Sequence, residues 1–150
     1  MKKPLIIFIS IMICIITILF VFLRQIEAEK RAHDRINIEY QEYLDKEIYG
    51  IQLATIINKV ISSNEKNEVT KDQEGMYVDN GLNSILVDIY ISDNNTTYKM
   101  ENIYKLGTSE FLQHFNTIMF KGKIVEYHDD TGQIAKILFE QIVEETNEGF

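Results

Sequence analysis

The chain has 150 residues, enough for one domain of ordinary size with an appendage. Its formal charge of −8, with 23 Asp and Glu against 15 Lys and Arg, argues against nucleic acid as a partner and against docking on anionic lipid through its body. The single cysteine, Cys14, excludes a disulfide framework or a cysteine metal site within one chain.

The first element is "LIIFISIMICIITILFVFL", residues 5–23, which are 19 residues without a charge. As a helix they cover ~28 Å, close to the ~30 Å of hydrocarbon in a bilayer. A cleaved signal peptide has an apolar region of ~7–15 residues and a small-x-small exit. This run is longer and leaves through "FLRQIEAEK", where no small-x-small pair closes it. The pattern predicts an uncleaved single span, with the lipid bilayer as partner of residues 5–23. Lys2 and Lys3 precede it, while Arg24, Lys30, Arg31 and Arg35 follow it among Glu27, Glu29 and Asp34. We read these flanks as a cytoplasmic N-terminus with the rest of the chain outside. Beyond residue 38 there are 9 Lys and Arg against 20 Asp and Glu, a net charge of −11. Within the span, Ser10, Cys14 and Thr17 fall on one helix face, as small residues at helix–helix contacts or self-association in lipid do. The alternative is that Ser and Thr bond back to carbonyls of their own helix.

Residues 24–49 are charged but periodic. Ile36, Tyr40, Tyr43, Leu44 and Ile48 recur mostly at three- and four-residue steps, with Glu42, Asp45 and Lys46 on the solvated side. Neither Pro nor Gly interrupts residues 5–49, so the span is expected to continue into a helical stalk, with Gly50 as the first break. Ile51, Leu53, Ala54, Ile57, Val60 and Ile61 then fit a second amphipathic helix, closed by the polar cluster "SSNEKNE". Asn58 and Lys59 and its short apolar length rule it out as a second span.

After a solvated connection the period becomes two. "SILVDIYI", residues 84–91, reads as a strand; "SDNNT" reads as a turn; "TYKMENIY", residues 97–104, reads as a weaker strand. "GTSEFLQHFN", residues 107–116, has Phe111, Leu112 and Phe115 at helical spacing behind a Thr or Ser cap. "TIMFKGKIVEYHD" and "GQIAKILFEQIVE" are two more strands joined through the hairpin signal "DDTG". Gly122, inside the first of these, points to a bulge or a close backbone approach. The expected class is α+β: a transmembrane helix extended into a stalk, then a helix packed on a four-stranded antiparallel sheet, in the order α-α-β-β-α-β-β. The expected divisions are 1–23 for the tail and span, 24–49 for the stalk and 50–150 for a small extracytoplasmic domain.

Two features of "YHDDTGQ" (127–133) resemble chemistry. His128, Asp129 and Asp130 are possible metal ligands, and Asp130-Thr131-Gly132 spells the aspartic-protease triplet. Flanking polar residues favour a surface hairpin. His33 and His114 are isolated, as solvated or core-edge histidines are. No nucleophile elbow, phosphate loop or paired glycine motif occurs, so no catalytic, cofactor-binding or metal residue is assigned. Asn94-Asn95-Thr96-Thr97 holds two overlapping glycosylation sequons, read here as turn residues.

Membrane helix, amphipathic continuation and antiparallel sheet together resemble type IV pilin-like and pseudopilin-like proteins. In that class the apolar half of the first helix sits in the membrane and the second half packs on a sheet. "KKPLIIFISI" lacks the Gly and the Glu of a prepilin processing site. "GIQLATIINK" (50–59) and "FEQI" (139–142) are similar to stretches of small N-terminally anchored proteins of Clostridium-like Firmicutes. The abundance of Ile, Lys and Asn, with no Trp and one Pro, matches a low-GC bacterial coding bias. The expectation is a non-catalytic, single-pass protein, a structural or assembly component of a bacterial cell-envelope apparatus. The alternative is an extracytoplasmic ligand-binding or sensory module acting through a membrane partner, which the few residues before the span disfavour.

Overall fold

Helix over the first third of the chain is permitted by the absence of interior Gly or Pro, the one proline lying in the first turn, where its missing N–H costs nothing. In the computed structural model, which describes residues 2–44 and 46–143, α1 runs unbroken as Lys2–Leu44, 43 residues or ~65 Å. Its apolar residues from Leu5 to Leu23 are exposed, and the stretch is long and apolar enough to cross a membrane. Arg24 ends that stretch with its guanidinium 5.2 Å from the Phe20 ring centroid, and Arg31 pairs with Glu27 at 3.5 Å. Only the last turns are core: Tyr40 and Leu44 are buried, and Ile36 and Tyr43 pack against the same cluster.

The helix does not reach Gly50 as expected. It stops at Leu44, and β1, Glu47–Tyr49, forms instead. Ile48 continues the helical spacing from Leu44, so periodicity misassigned it; in the fold it is a fully buried strand residue. Asp45, placed by its spacing on the solvated side, lies outside the described residues, as does Glu144 at the end of the last expected strand. Gly50 is not a break in a helix but the first residue of α2, Gly50–Lys66. A Cβ there would overlap the Phe115 carbonyl oxygen, so close packing selects glycine. The Gly50 N–H donates to the Ile118 carbonyl at 2.9 Å, and Gln52 accepts from the Tyr49 N–H at 2.9 Å, which satisfies the helix start. Leu53, Ala54, Ile56, Ile57, Val60 and Ile61 form its buried face.

The sheet has five strands, not four, and is mixed. The others are β2 (Leu86–Ile91), β3 (Thr96–Lys99), β4 (Met119–Tyr127) and β5 (Ile134–Gln141), in the spatial order β1-β4-β5-β2-β3. All neighbours are antiparallel except β2 and β5, which pair in parallel with Ile89 opposite Phe139. A single 3₁₀ turn, Ser92–Asn94, with left-handed Asn95 joins β2 to β3, as the "SDNNT" turn anticipated. The weaker strand ends at Lys99, and its second half is helix α3, Met100–Leu106. Helix α4, Thr108–Phe115, follows with Gly107 at its N-cap.

The four helices cover one face of the sheet. Val87, Ile89, Ile91, Phe120, Ile137 and Phe139 point into them, and all are buried. At Gly122 the expected close approach is found: a Cβ would lie 2.6 Å from the Phe139 ring and collide with Leu44 of α1. The bulge lies further along, where the β4–β5 register shifts between Ile124 and Tyr127.

Two outcomes are expected. Ile57→Asp places a charge where the native side chain is 1 % exposed, and should abolish the protease resistance of the α+β domain, measured by limited proteolysis. Gly122→Ala should cost ~1–3 kcal/mol in thermal unfolding, because the Leu44 side chain and the Phe139 ring must shift to admit the methyl; an unchanged melting temperature rules out that contact.

Candidate functional site

The polar interior is concentrated at one end of the domain, where the β4–β5 turn meets the loop before β2. Asn64, Ser84, His128 and Gln133 are all buried there. Buried polar groups are stable only when paired, and these are. The Asn64 amide donates to the Ile85 carbonyl at 2.7 Å and accepts from the Ile85 N–H at 2.9 Å, which fixes the end of α2 to the entry of β2. Asn37 of α1 repeats the device: it donates to the Gly132 carbonyl and accepts from the Ile134 N–H, both at 2.8 Å. Each asparagine stands in for a neighbouring strand. His33 Nδ1 and Gln133 Oε1 are 2.6 Å apart, and Gln133 Nε2 donates to the Asn83 carbonyl at 3.1 Å.

The loop itself, "DNGLNS" (79–84), winds around Asn80. Its side-chain oxygen accepts the N–H groups of Leu82, Asn83 and Ser84, each at 3.0 Å. Asp79, Ser84 and His128 then meet as the three residue types of a hydrolase triad, but the connections differ. Ser84 Oγ donates to Asp79 Oδ1 at 2.8 Å and accepts the Asn80 N–H at 3.0 Å. His128 Nε2 is 2.7 Å from the Ser84 backbone carbonyl and therefore carries its proton there; Nδ1 is 3.4 Å from Asp79 Oδ1. A triad needs the imidazole to accept from an accessible hydroxyl. Here the hydroxyl is buried and already donated to the carboxylate. The three residues staple the loop to the hairpin. Hydrogen bonding from the Gly81 N–H holds the Asp79 carboxyl below its ordinary value; the Ser84 hydroxyl and nearby His128 add to this, and burial opposes it.

The hairpin reading of "YHDDTGQ" agrees with this geometry. Asp129 and Asp130 lie exposed in the turn, and Thr131 Oγ1 donates to the Leu82 carbonyl at 2.8 Å. Among the described residues no group of three or more His, Cys, Asp or Glu converges as metal ligands would. His33 belongs to the buried network rather than to solvent, and His114 lies at a small apolar groove with Tyr98, Phe111 and Phe115. Of the sequon residues only the asparagines are in the turn, Thr96 and Thr97 opening β3: Asn94 donates to the Tyr98 hydroxyl at 2.9 Å, and the Tyr90 hydroxyl donates to Asn95 at 2.7 Å. Ser10, Cys14 and Thr17 are exposed on the apolar part of α1, and Thr17 Oγ1 donates to the Ile13 carbonyl at 2.8 Å, the intrahelical alternative.

Sequence reasoning missed a cluster on the open face of the sheet. Asp88 of β2 is nearly buried and takes Lys99 at 2.8 Å and Lys136 at 2.9 Å. Glu101 is also buried and accepts the Tyr77 N–H at 2.9 Å. The signal was present: Asp88 is the one charge inside "ILVDIYI", at the phase opposite Ile85, Val87 and Ile89. Between α1 and α2 an open groove of about 530 Å³ holds Tyr40, whose phenol is pushed up to about 12 by burial. The Lys59–Glu39 pair at 2.8 Å lies in the same groove. The apolar groove at His114 is about 150 Å³, below the ~300 Å³ at which small-molecule sites begin.

No protein family, curated protein or solved structure matches this chain.

The Asp79 staple has a pH signature. The folded carboxyl titrates below its ordinary 3.8, so its contribution is complete above that value and is lost as the pH falls through the lower folded one. Thermal melts of the wild type and Asp79→Asn should therefore differ at pH 7 and converge as the pH falls through the lowered folded value. A gap that persists unchanged into acid would mean that the carboxylate charge plays no part.

Proposed function

We propose that this chain is a non-catalytic, single-pass membrane protein and a structural or assembly component of a bacterial cell-envelope apparatus, pilin-like in layout. Its N-terminus would lie in the cytoplasm and its α+β domain outside. The observation that carries this reading is the continuity of α1. One helix is exposed and apolar over residues 5–23 and forms part of the domain core at Tyr40 and Leu44, so anchor and domain are one mechanical piece. An anchor tied to a catalytic domain needs only a tether; a helix shared with the core supports a part whose position matters. The last turns of α1 packing on β4 add to the pilin-like reading. The polar cluster at Asp79, Ser84 and His128 spends its hydrogen bonds on loop geometry, which favours structure over chemistry.

Two measurements test this. Protease added to intact cells should release the folded domain by cutting in the exposed run 24–32 and leave the anchor in the membrane; full protection overturns the outward topology. In native gels of mildly solubilised membranes the protein should migrate in assemblies well above its 17.6 kDa chain mass plus detergent. Migration as a monomer at every expression level removes the assembly role.

A further inference from the structure

We infer that α1 is a rigid strut that holds the domain upright at a fixed height, with the 79–84 loop and the β4–β5 turn forming a floor that faces the bilayer. This rests on the reading that residues 5–23 span a membrane. Contacts between helix and domain follow the chain direction. His33 and Asn37 meet residues 132–134 at the turn, whereas Leu44 lies over Gly122 and Phe139, well along the strands. From His33 to Leu44 the helix rises ~17 Å, and from Gln133 to Phe139 the strand rises ~20 Å, so β5 runs roughly alongside α1. The turn is thus the end nearer Leu23, and the 3₁₀ turn at Ser92–Asn94, bonded to Gln141 at the other end of β5, is the far end.

The height follows from the bare length of helix. Leu23 to His33 is ten residues, a rise of ~15 Å. The headgroup layer occupies ~5–8 Å of that. What remains is a water gap on the order of the ~8 Å Debye length. The floor is acidic: Asp79, Glu126, Asp129 and Asp130 lie there, and neither 79–84 nor 126–133 contains a Lys or Arg. Facing anionic headgroups, that charge keeps the domain off the lipid. Rigidity comes from three attachments along α1: the His33–Gln133 bond, the two-point Asn37 clamp and the Leu44 contact over Gly122.

The test uses full-length protein with Cys14→Ser in vesicles of mixed phosphatidylcholine and phosphatidylglycerol. A donor dye is attached at Asp130→Cys or at Asn94→Cys, both exposed positions, with an acceptor on the lipid headgroups. Transfer from position 130 should exceed that from 94 by roughly twofold or more, given the ~26 Å rise of β5 between Gln133 and Gln141. Equal transfer, or more from 94, overturns the inference. A Glu29→Gly, Lys30→Gly pair in the bare run should shrink the difference by making a hinge; a full difference in that variant shows that the helix does not set the orientation. Extraction of the protein by alkaline carbonate would instead overturn the spanning reading, whatever the dyes report.

Discussion

A single helix has to satisfy two environments, and the rest of the fold follows from how it does so. Over residues 5–23 α1 offers an apolar surface on all sides, which suits lipid. Over residues 33–44 only one side is apolar or hydrogen-bonded inward, through His33, Ile36, Asn37, Tyr40 and Leu44. The domain is built around that narrow stripe. Leu44 fits because Gly122 leaves β4 without a side chain beneath it, and β1 carries the chain onward along β4 from Lys121 to Met119 before α2 begins at Gly50.

The second constraint is the satisfaction of polar groups where helix, hairpin and loop converge. Three segments that share no backbone ladder meet at the β4–β5 turn, and each leaves N–H and C=O groups that need partners. Side-chain amides supply them. Asn37 and Asn64 each pair with a donor and an acceptor on a strand end, which hydrophobic contact cannot do. His128, with its Nε2 proton on the Ser84 carbonyl, closes the same junction from the hairpin side. A cluster rich in Ser, Asp and His can therefore arise from architecture alone. What separates it from a catalytic site is where the serine proton is directed, and here it is directed at Asp79.

Much of this was legible in the sequence, in proportion to how local the determining physics is. The spanning length of residues 5–23, the buried stripe of α2 and the alternating strands β2, β4 and β5 are set by period and length, which a sequence displays directly. The open-face charge of Asp88 was legible too, at the correct phase of its strand. Three things were not. Ile48 fits a helix and a strand equally well, and only its pairing with Phe120 decides. "MENIY" alternates like a strand but continues as α3 because β3 ends at Lys99, where Asn102 accepts the Lys99 N–H. The parallel pairing of β2 with β5 depends on a return through β3, α3, α4 and β4, and no local pattern encodes a neighbour 50 residues away. The polar junction was hidden for the same reason: Asn37 is an ordinary residue on a charged stalk until residues 132–134 arrive beside it.

The same reasoning explains why rigidity and function are joined in this chain. A flexible tether leaves a domain free to sample all orientations, so whatever it presents to a partner is diluted by rotation. A helix that continues without a break from an apolar, membrane-length stretch into the core removes that freedom at the cost of a fixed register between Leu23 and His33. That register sets height through a ~1.5 Å rise and facing through a ~100° turn for each residue. One inserted residue there would turn the domain by more than a quarter of a circle without disturbing a single contact inside it. Surfaces such as the lysine-bordered open face of the sheet, with Asp88 between Lys99 and Lys136, are then held at a defined azimuth. With the cluster at Asp79, Ser84 and His128 spent on holding segments together, a fixed presentation of its surface is what the continuous helix contributes.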